Sequence, residues 1–489
     1  MKSLTENSSL LESTAEYSQR TAPSALTEIV GKSQVKKLLL VIGDVAVLYF
    51  CLYVSLVIRS SSLPSADLWW RNLAPFSILF GIWLLVFYIM DLYEIAFCQN
   101  ELGFYNRVLQ SLIINFGAAC VYFYFLATDF FTIRPQISFL IFAFVTTTLF
   151  PFWRYRFNSF AEQPSLRRNV LVVGLNDGCL ELIHEIIAKP QLGYRISAVV
   201  DNGKNRRSLE LAGINVYDDS VDLKRVLREE RISVVVTAFD PRTNERLMQH
   251  LFESLSLKLR FYELPIFYEN LTGKIPINSI GHIWFLENLA QADKGMYEHC
   301  KRLFDLAFSS VLSLFVLLFL PFIAMAIKLD SRGPVFFSQT RTGLLGRRFR
   351  AVKFRTMSTE AEGDGVARWA QKNDPRITRV GRYLRKSRID ELPQLWNVLR
   401  GEMSVIGPRP ERPEFVVELE RDIPFYNERH LVKPGLTGWA QVKFHYGASV
   451  SDSFKKLQYD FFYIKNRSLI LDVAILLKTI NIVMTAKGQ

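Results

Sequence analysis

Four long apolar stretches follow one another in the first third of the chain and restrict its fold more than any other feature. They cover residues 38–58, 74–90, 108–128 and 137–153. Each is close to the roughly 20 residues that a helix needs to cross a hydrocarbon layer of about 30 Å. Because one soluble domain could hardly bury four such helices in succession, the sequence predicts four transmembrane helices over residues 35–158.

Basic residues flank this predicted bundle at both ends. They are Lys32, Lys36 and Lys37 before it and Arg154, Arg156, Arg167 and Arg168 at and after its end. Positive flanks prefer the cytoplasm, and an even number of spans returns the chain to its starting side. We therefore expect both ends of the bundle on the cytoplasmic face. Residues 1–34 are rich in Ser, Thr and Glu and are expected to form a disordered cytoplasmic tail.

The positive charge of the chain is concentrated in its last third. Residues 328–489 contain 29 Lys and Arg against 17 Asp and Glu, an excess of 12 that equals the net charge of the whole chain, +12. This part is expected to bind phosphates, nucleotides or an anionic lipid surface rather than nucleic acid. The five cysteines are scattered without a C-x-x-C pair, which excludes a disulfide scaffold and a zinc ribbon.

Residues 165–265 alternate short apolar strands with helix-period segments, and this alternation predicts a Rossmann-like α/β domain with a parallel sheet. Its first strand ends at Gly174, Gly178 follows, and Asp201 ends the second strand. A dinucleotide fingerprint needs a middle glycine so that the backbone can approach the pyrophosphate, and G-x-x-x-G lacks it. Nucleotide binding and a structural or regulatory role both stay open for this domain. Residues 266–296 have no clear period and are expected to be a linker or hairpin region.

A fifth apolar segment, residues 303–327, is basic on both sides and contains Pro321. Proline removes a backbone donor and kinks a helix, and positive flanks favour the same side of the membrane for both ends. The sequence therefore predicts a re-entrant helix that breaks at Pro321. A straight fifth span with a proline kink is the alternative. The last apolar run, residues 468–486, contains two charges and is expected to be an interfacial helix rather than a sixth span.

Two adjacent carboxylates, Asp390 and Glu391, carry the chemical signal of the last third. Pro393 belongs in the first turn of a helix, so a helix is expected to begin at Asp390 or Glu391 and to end at Gly401. A helix N-terminus favours anions such as phosphates. Two carboxylates would repel phosphates unless a divalent cation joined them, and Mg²⁺ takes one or two carboxylates together with substrate phosphates. A carboxylate can also attack phosphorus and form an acyl phosphate.

Cationic side chains surround this pair in the sequence and are the candidates for binding phosphate. They are Lys353, Arg355, Arg376, Arg385, Arg388, Arg409 and Arg412. The loop from Gly407 to Pro413 holds two of these arginines between prolines, which fix φ, and guanidinium groups bind phosphate through two parallel hydrogen bonds. A second stiffened loop runs from Lys433 to Trp439.

These motifs resemble the bacterial sugar transferase family, the monotopic polyprenyl-phosphate hexose-1-phosphate transferases. The resemblance covers residues 297–489, and the full layout resembles the large members that start exopolysaccharide or O-antigen repeats. Two motifs depart from the family: the helix break is Leu320-Pro321 instead of Ser-Pro, and Glu402 replaces Asp in Gly-Asp-Met-Ser.

The resemblance implies an activity and a set of roles. Asp390 would be the nucleophile that attacks the sugar-linked phosphate of UDP-glucose or UDP-galactose, releases UMP and holds the phosphosugar covalently. Undecaprenyl phosphate would accept the phosphosugar. Glu391 would help Asp390 to hold Mg²⁺, and Arg409 would bind phosphate. The implied location is the bacterial inner membrane with the catalytic domain on its cytoplasmic face, and a homodimer is compatible with the larger relatives.

Three other functions stay open at this point. A membrane-anchored nucleotide-sugar oxidoreductase or epimerase would use residues 168–265 and bind NAD. A non-catalytic scaffold would recruit polysaccharide enzymes and show no turnover. A glycosyltransferase would use the same donor but release UDP instead of UMP.

Overall fold

The computed structural model describes residues 34–125, 136–201, 213–218, 221–238, 249, 252–254, 259–289, 294–358, 374–444, 447 and 449–484. The chain divides into two compact units, residues 1–271 and residues 272–489. The predicted tail, apart from its last residue, lies outside the described residues.

Four long helices form the first part of unit 1, and they coincide with the four apolar stretches. They are α1 (Gln34–Ser60), α2 (Ala66–Ile89), α3 (Leu102–Phe125) and α4 (Gln136–Ala161). Their buried side chains make one continuous core that includes Leu48, Trp83, Val108 and Phe142. Among the described helices, three are long and apolar enough to cross a membrane: α1, α2 and a helix of unit 2, Gly295–Asp330.

A fully buried ion pair ties the bundle together near one end. Arg154 of α4 donates to Asp44 of α1 at 2.6 Å and to the backbone carbonyl of Leu92 at 2.7 Å. Trp153 donates its indole N–H to the second oxygen of Asp44 at 3.0 Å. Because an unpaired charge inside an apolar bundle is costly, these bonds fix the relative positions of α1, α4 and the segment after α2.

A five-stranded parallel sheet completes unit 1. Its strands are β1 (Arg168–Val173), β2 (Tyr194–Val200), β3 (Asn215–Tyr217), β4 (Val234–Thr237) and β5 (Arg260–Glu263) in the order β3-β2-β1-β4-β5. The helices α5 (Asp177–Ala188), α6 (Leu223–Glu229) and α7 (Leu264–Thr272) accompany it. Apolar cores lie on both faces of the sheet, as a buried parallel sheet requires. The predicted α/β domain is present.

Asn176 stands where a dinucleotide fingerprint would have its middle glycine. Its side chain accepts from the Cys179 N–H at 2.9 Å, which caps α5, and donates to the carbonyl of Ala238 at 3.2 Å. The side chain therefore bridges the carboxyl ends of β1 and β4, the place where a pyrophosphate would approach the backbone. This arrangement weighs against the NAD-dependent alternative.

Unit 2 is a mixed α/β unit that includes one long apolar helix. Its helices are α8 (His282–Leu289), α9 (Gly295–Asp330), α10 (Arg379–Lys386), α11 (Leu395–Arg400), α12 (Pro413–Asp422), α13 (Trp439–Lys443), α14 (Val450–Asn466) and α15 (Leu469–Met484). The antiparallel hairpin β6 (Phe336–Thr342) and β7 (Arg348–Phe354) and the parallel pair β8 (Ser404–Ile406) and β9 (Gly435–Thr437) are its strands. Ile275 and Ile277, from the expected linker, are buried in this core.

The helix α9 is continuous through Pro321, so its hydrogen bonding does not show the break that the sequence predicts at that residue. Only 6 % of its most apolar 18-residue segment is buried. Leu314, Leu318 and Phe322 are each about two-thirds exposed. Proline costs the helix a single backbone bond, and the rest of a 36-residue helix outweighs that loss.

Candidate active site

The adjacent acids Asp390 and Glu391 lie in a short 3₁₀ turn, Ile389–Gln394, that leads into α11. The predicted helix start, Asp390 or Glu391, lies one or two residues after the start of this turn. Pro393 has no N–H to offer the carbonyl of Ile389, so the first turn is tighter than an α-turn. Arg388 enters the turn with φ of 55°, in the left-handed region. The helix ends at Gly401, as predicted, with φ of 81°.

Three cations surround the carboxylate of Glu391. Arg409 donates to both of its oxygens, at 2.7 and 3.3 Å, and Lys353 donates to one of them at 2.7 Å. Arg388 lies 3.6 Å away. Only 12 % of the Glu391 side chain is exposed. Glu391 is therefore a fixed anion that organises the cations of the site.

Asp390 is in a different environment although it is the next residue in the chain. It is 8 % exposed, and its carboxylate accepts no hydrogen bond from the part of the chain that the structure describes. Burial, and then the charge of Glu391, raise its pKa to about 6, while Lys353, Arg385 and Arg409 oppose this rise. A carboxylate that is ionised at neutral pH but lacks hydrogen bonds keeps its lone pairs available to react.

The pKa of Glu391 moves in the opposite direction. Burial alone would raise it, but Arg409, Lys353 and Arg388 outweigh burial and hold the pKa well below its usual value. Burial lowers the pKa of the Lys353 ammonium, the attraction of Glu391 opposes this shift, and repulsion by Arg409 adds to it. Several cations surround one anion here. The ionised form of Glu391 is stabilised by each of them, whereas each cation is attracted by Glu391 and repelled by the other cations. Two neighbouring acids with divergent pKa values are typical of a catalytic pair.

Close contact of two glycine-containing loops places Arg409 in this site. The loop of residues 407–412, called the Arg409 loop below, packs on the segment that holds β9. A Cβ at Gly435 would lie 2.1 Å from the backbone nitrogen of Gly407, and one at Gly438 would lie 2.1 Å from its carbonyl oxygen. Larger residues would therefore push the two loops apart, and Arg409 with them.

The structure brings only some of the sequence-predicted cations to the acids. Lys353, Arg388 and Arg409 contact Glu391, and Arg385 acts on Asp390 through its charge. Arg376 pairs with Asp374 at 2.6 Å, and Arg412 lies 3.5 Å from Glu414. Phosphate binding by these last two stays a prediction.

Arg355 points its guanidinium away from the acids. It donates to the carbonyls of Ser331 at 2.6 Å and Arg332 at 2.7 Å, at the C-terminal end of α9. These contacts cap the long helix, because cations satisfy the free carbonyls of a helix end. Phosphate binding by Arg355 stays a prediction that these contacts do not support.

Trp439 and His430, an aromatic and an imidazole side chain of unit 2, are buried and contribute to packing. Trp439 stacks on Phe462 with ring centroids 5.6 Å apart and donates to the carbonyl of Gly273 at 3.0 Å. Burial, followed by the charge of Arg429, lowers the pKa of His430 to about 4, so this imidazole is neutral at physiological pH. Tyr446 and His445 lie outside the described residues.

The acids provide a suitable donor set for a divalent cation. No group of three or more His, Cys, Asp or Glu side chains forms a ready-made metal cage among the described residues. Mg²⁺ does not need one, because it usually takes one or two carboxylates and completes its shell with water and substrate phosphates. Asp390 accepts no hydrogen bond from the described residues, and Oε2 of Glu391, which accepts from Arg409, has a second lone pair, whereas Oε1 already accepts from both Lys353 and Arg409. The residues therefore fit Mg²⁺ bound together with a phosphate ligand.

Arg341, Arg429 and Asp460 belong to the surroundings of the site and were missed in the sequence. Arg429 donates to the backbone carbonyl of Arg409 at 3.0 Å, and Asp460 holds Arg429 at 2.8 Å. Arg341 donates to the carbonyl of Pro410 at 3.2 Å. Their partners lie 20 to 69 residues away along the chain, so no local pattern indicates these contacts.

Comparison with known families gives two matches. The family described as "Bacterial sugar transferase" matches residues 296–486, which contain α9, both acids and both loops. The family described as "CoA-binding domain" matches residues 88–261, which contain α3, α4 and the parallel sheet.

Individual relatives match between about half and two-thirds of this chain. An Aeromonas hydrophila protein named UDP-N-acetylgalactosamine-undecaprenyl-phosphate N-acetylgalactosaminephosphotransferase is 47 % identical over 46 % of this chain and 53 % of its own length. The undecaprenyl-phosphate glucose phosphotransferase of Komagataeibacter xylinus is 34 % identical over 64 % of this chain and 59 % of its own. A UDP-galactose-lipid carrier transferase of Erwinia amylovora is 32 % identical over 66 % and 69 %. The chain thus spans just over half the length of the first two relatives.

Proposed function

The chain belongs to the bacterial sugar transferase family, and from this premise we propose that it transfers a hexose 1-phosphate from a UDP-sugar to undecaprenyl phosphate and releases UMP. The observation that carries the proposal is the contrast between the two acids. Glu391 is held by three cations, whereas Asp390 beside it is buried, ionisable and without a hydrogen bond from the described residues. This is the arrangement expected of a carboxylate nucleophile next to a fixed anion that collects cations.

The reaction proceeds in two displacements at phosphorus. In the first, an oxygen of Asp390 attacks the sugar-linked phosphorus of the donor, and the bond from that phosphorus to the bridging oxygen breaks. UMP leaves with the bridging oxygen, and an aspartyl phosphosugar remains. In the second, a phosphate oxygen of undecaprenyl phosphate attacks the same phosphorus and Asp390 leaves as a carboxylate. The product is a diphosphate-linked lipid, and the protein returns to its starting state.

The side chains around Asp390 mainly position groups and neutralise charge, as in phosphoryl transfer generally. Arg409 and Lys353 face the carboxylate of Glu391 from different elements, so their positive charge is already in place when the donor arrives. Arg385 and Arg388 supply further charge near the acids. Mg²⁺, held by Asp390 and Glu391 with the donor phosphates, would neutralise charge on the diphosphate when bound.

Although α9 keeps its helical hydrogen bonding through Pro321, the contacts of its two ends support a helix that enters the membrane, bends at the proline and returns to the same face. Near its N-terminal end Lys301 pairs with Asp472 at 2.8 Å. At its C-terminal end Asp330 accepts from the backbone of Val380 at 2.8 Å, next to the helix end that Arg355 caps. Both ends thus contact polar groups of the same compact unit, while the middle of the helix exposes apolar side chains. A water-soluble donor and a membrane-bound acceptor require this kind of geometry.

A cysteine placed at Arg332 tests the membrane geometry. In a variant that retains no other reactive cysteine, we expect Arg332→Cys to react with a membrane-impermeant maleimide only from the cytoplasmic side, because α9 returns there. Labelling is measured in intact spheroplasts and in inverted vesicles. Labelling from the periplasmic side alone would show that α9 crosses the membrane. Its two ends would then lie on opposite sides, which would contradict a re-entrant helix.

The bundle α1–α4 supplies four transmembrane spans in this proposal, with the α/β domain and unit 2 in the cytoplasm of a bacterial cell and the bundle in its inner membrane. The exposed apolar side chains of α1 and α2 support membrane insertion, since Leu38, Ile42, Phe50 and Ile78 are each half exposed. The helix α15 would lie at the membrane interface, because Asp472 in its first turn is buried against Lys301. A homodimer is compatible with this arrangement.

Product analysis tests the proposed reaction. The purified protein is incubated with Mg²⁺, undecaprenyl phosphate and separate UDP-sugars, and the released nucleotide is identified. The relatives are named for three different sugars, so the set includes UDP-glucose, UDP-galactose and UDP-N-acetylgalactosamine. Release of UMP with one donor supports phosphosugar transfer. Release of UDP would show glycosyl transfer, and no nucleotide from any donor would favour a scaffold.

A further inference from the structure

The Arg409 loop is held in place almost entirely through its backbone carbonyls. Pro408 and Pro410 have no N–H to donate, so two of its six residues cannot anchor it through amide donors. The carbonyls of Pro408, Arg409 and Pro410 all accept hydrogen bonds, from three different elements. Their donors are the backbone N–H of Gly435 at 2.8 Å, the guanidinium of Arg429 at 3.0 Å and the guanidinium of Arg341 at 3.2 Å.

Arg429 makes the central one of these bonds, and its own position is tightly fixed. Its side chain is buried, 5 % exposed, and its two terminal nitrogens serve three acceptors. One nitrogen donates to the Tyr426 hydroxyl at 2.6 Å, and the other donates both to Asp460 at 2.8 Å and to the Arg409 carbonyl. Asp460 is also buried, at 2 % exposure. Such a charge-assisted cluster, in which both terminal nitrogens have acceptors, restricts the guanidinium to one orientation.

We propose that Arg429, oriented by Asp460, is a positioning residue that fixes the backbone of Arg409 and so aims the Arg409 guanidinium at Glu391. This inference rests on the proposed function, and it extends it to residues that do not touch the acids. The carbonyl that Arg429 holds belongs to the same residue whose side chain reaches both oxygens of Glu391. Movement of that backbone by about 1 Å would break the paired bonds, and misplacement of that size costs about 10²-fold in rate.

Two variants separate positioning from folding. Arg429→Lys keeps a positive charge for Asp460, but a single ammonium cannot reproduce the fork that reaches Tyr426, Asp460 and the Arg409 carbonyl together. The paired change Arg429→Gln with Asp460→Asn removes both charges at once and leaves no buried ion without a partner. The matched control is Arg421→Gln, because Arg421 belongs to the same unit, is 79 % exposed and has Asp422 as its ion-pair partner among the described residues.

The first readout is hydrogen exchange of the full-length protein in nanodiscs. We expect both variants to raise amide exchange in a peptide covering residues 407–412 and to leave α14 and the β6–β7 hairpin as slow as in the wild type. The control leaves all peptides unchanged. Unchanged exchange in the Arg409 loop would overturn the proposal. Faster exchange throughout residues 272–489 would also overturn it, since Arg429 would then support the whole unit instead of this loop.

The second readout is the burst of UMP in the absence of the lipid acceptor, where each molecule reacts once. Its amplitude counts intact sites, and its rate measures the first displacement. We expect an unchanged amplitude, with the rate lowered about 10-fold in Arg429→Lys and up to about 100-fold in the paired variant. A wild-type rate in both variants would overturn the proposal. No burst from the wild-type protein with any donor would refute the proposed function instead, and hydrogen exchange would still decide whether Arg429 holds the loop.

Discussion

The Asp390→Asn variant will release UMP at least about 10³-fold more slowly than the wild-type protein, because an amide cannot form the aspartyl phosphosugar. The change preserves shape and removes only the charge. The assay measures UMP from the donor identified for the wild type, and Asp422→Asn, an exposed acid of α12, serves as the control. Activity close to that of the wild type would remove Asp390 from the mechanism.

The same variant will be more stable than the wild type at neutral pH. The pKa of Asp390 is about 6 in the folded protein, raised by burial and by Glu391 above an ordinary value of 3.8. A pKa raised by folding means that the favourable contribution is present below about pH 4 and is lost as pH rises through 6. The ionised group therefore costs about 2–3 kcal/mol at pH 7.5, from about 1.4 kcal/mol per pH unit. We expect Asp390→Asn to raise the apparent Tm by several degrees at pH 7.5 and to match the wild type near pH 4.

The stability measurement is made in EDTA, and a second set with added Mg²⁺ tests the proposed ligand role. A cation that binds the folded protein through Asp390 stabilises it by mass action. Mg²⁺ should therefore raise the apparent Tm of the wild type and have a smaller effect on Asp390→Asn. An equal rise in both proteins would contradict the role of Asp390 in holding Mg²⁺. A Tm of the variant below that of the wild type at pH 7.5 would contradict the free-energy cost assigned to the ionised Asp390 carboxylate.

Much of the fold could be predicted because its signals are local. Four apolar stretches of suitable length became α1–α4, and alternating strands and helices became the parallel sheet. The behaviour of α9 at Pro321 was less accessible, since one missing donor competes with the hydrogen bonds of a long helix. Whether that helix spans or returns depends on the contacts of its ends with residues such as Asp472 and Val380, which are distant in sequence and leave no periodic signal.

The active site shows the same division between local and distant contacts. The adjacency of Asp390 and Glu391 beside Pro393 was sufficient to predict a turn that presents two acids. The different roles of the cations could not be predicted in this way. Lys353 and Arg355 are only two residues apart, but β7 ends between them, so their side chains reach different parts of the unit. Lys353 lies in β7 and reaches Glu391, whereas Arg355 follows the strand and reaches the end of α9. The sequence alone therefore does not show which of these basic residues contacts the acids.

Glu391→Gln will have the opposite effect on stability, although it is the same chemical change at the next residue. Cations hold the pKa of Glu391 well below 4.5, so its charge stabilises the fold above that pH and is lost only as pH falls through the folded pKa. Removal of the charge leaves Lys353, with 21 % of its side chain exposed, without its carboxylate. Breaking such a buried pair costs about 3–5 kcal/mol. We expect a fall of several degrees in apparent Tm throughout pH 6–8 and loss of UMP release.

The cation responsible for this instability can be identified with a second change. Arg409 has 41 % of its side chain exposed and can turn its guanidinium toward water, so its share of the cost is reduced by solvent. Lys353 has less access to water and should account for most of the lost stability. Glu391→Gln combined with Lys353→Met removes the stranded ammonium and should recover most of the lost Tm while activity stays absent. If the double variant were as unstable as Glu391→Gln alone, Lys353 would not be the group that requires the carboxylate. Opposite Tm changes from two neighbouring acid-to-amide substitutions would show that Asp390 is held at a cost to stability while Glu391 supports the fold around it.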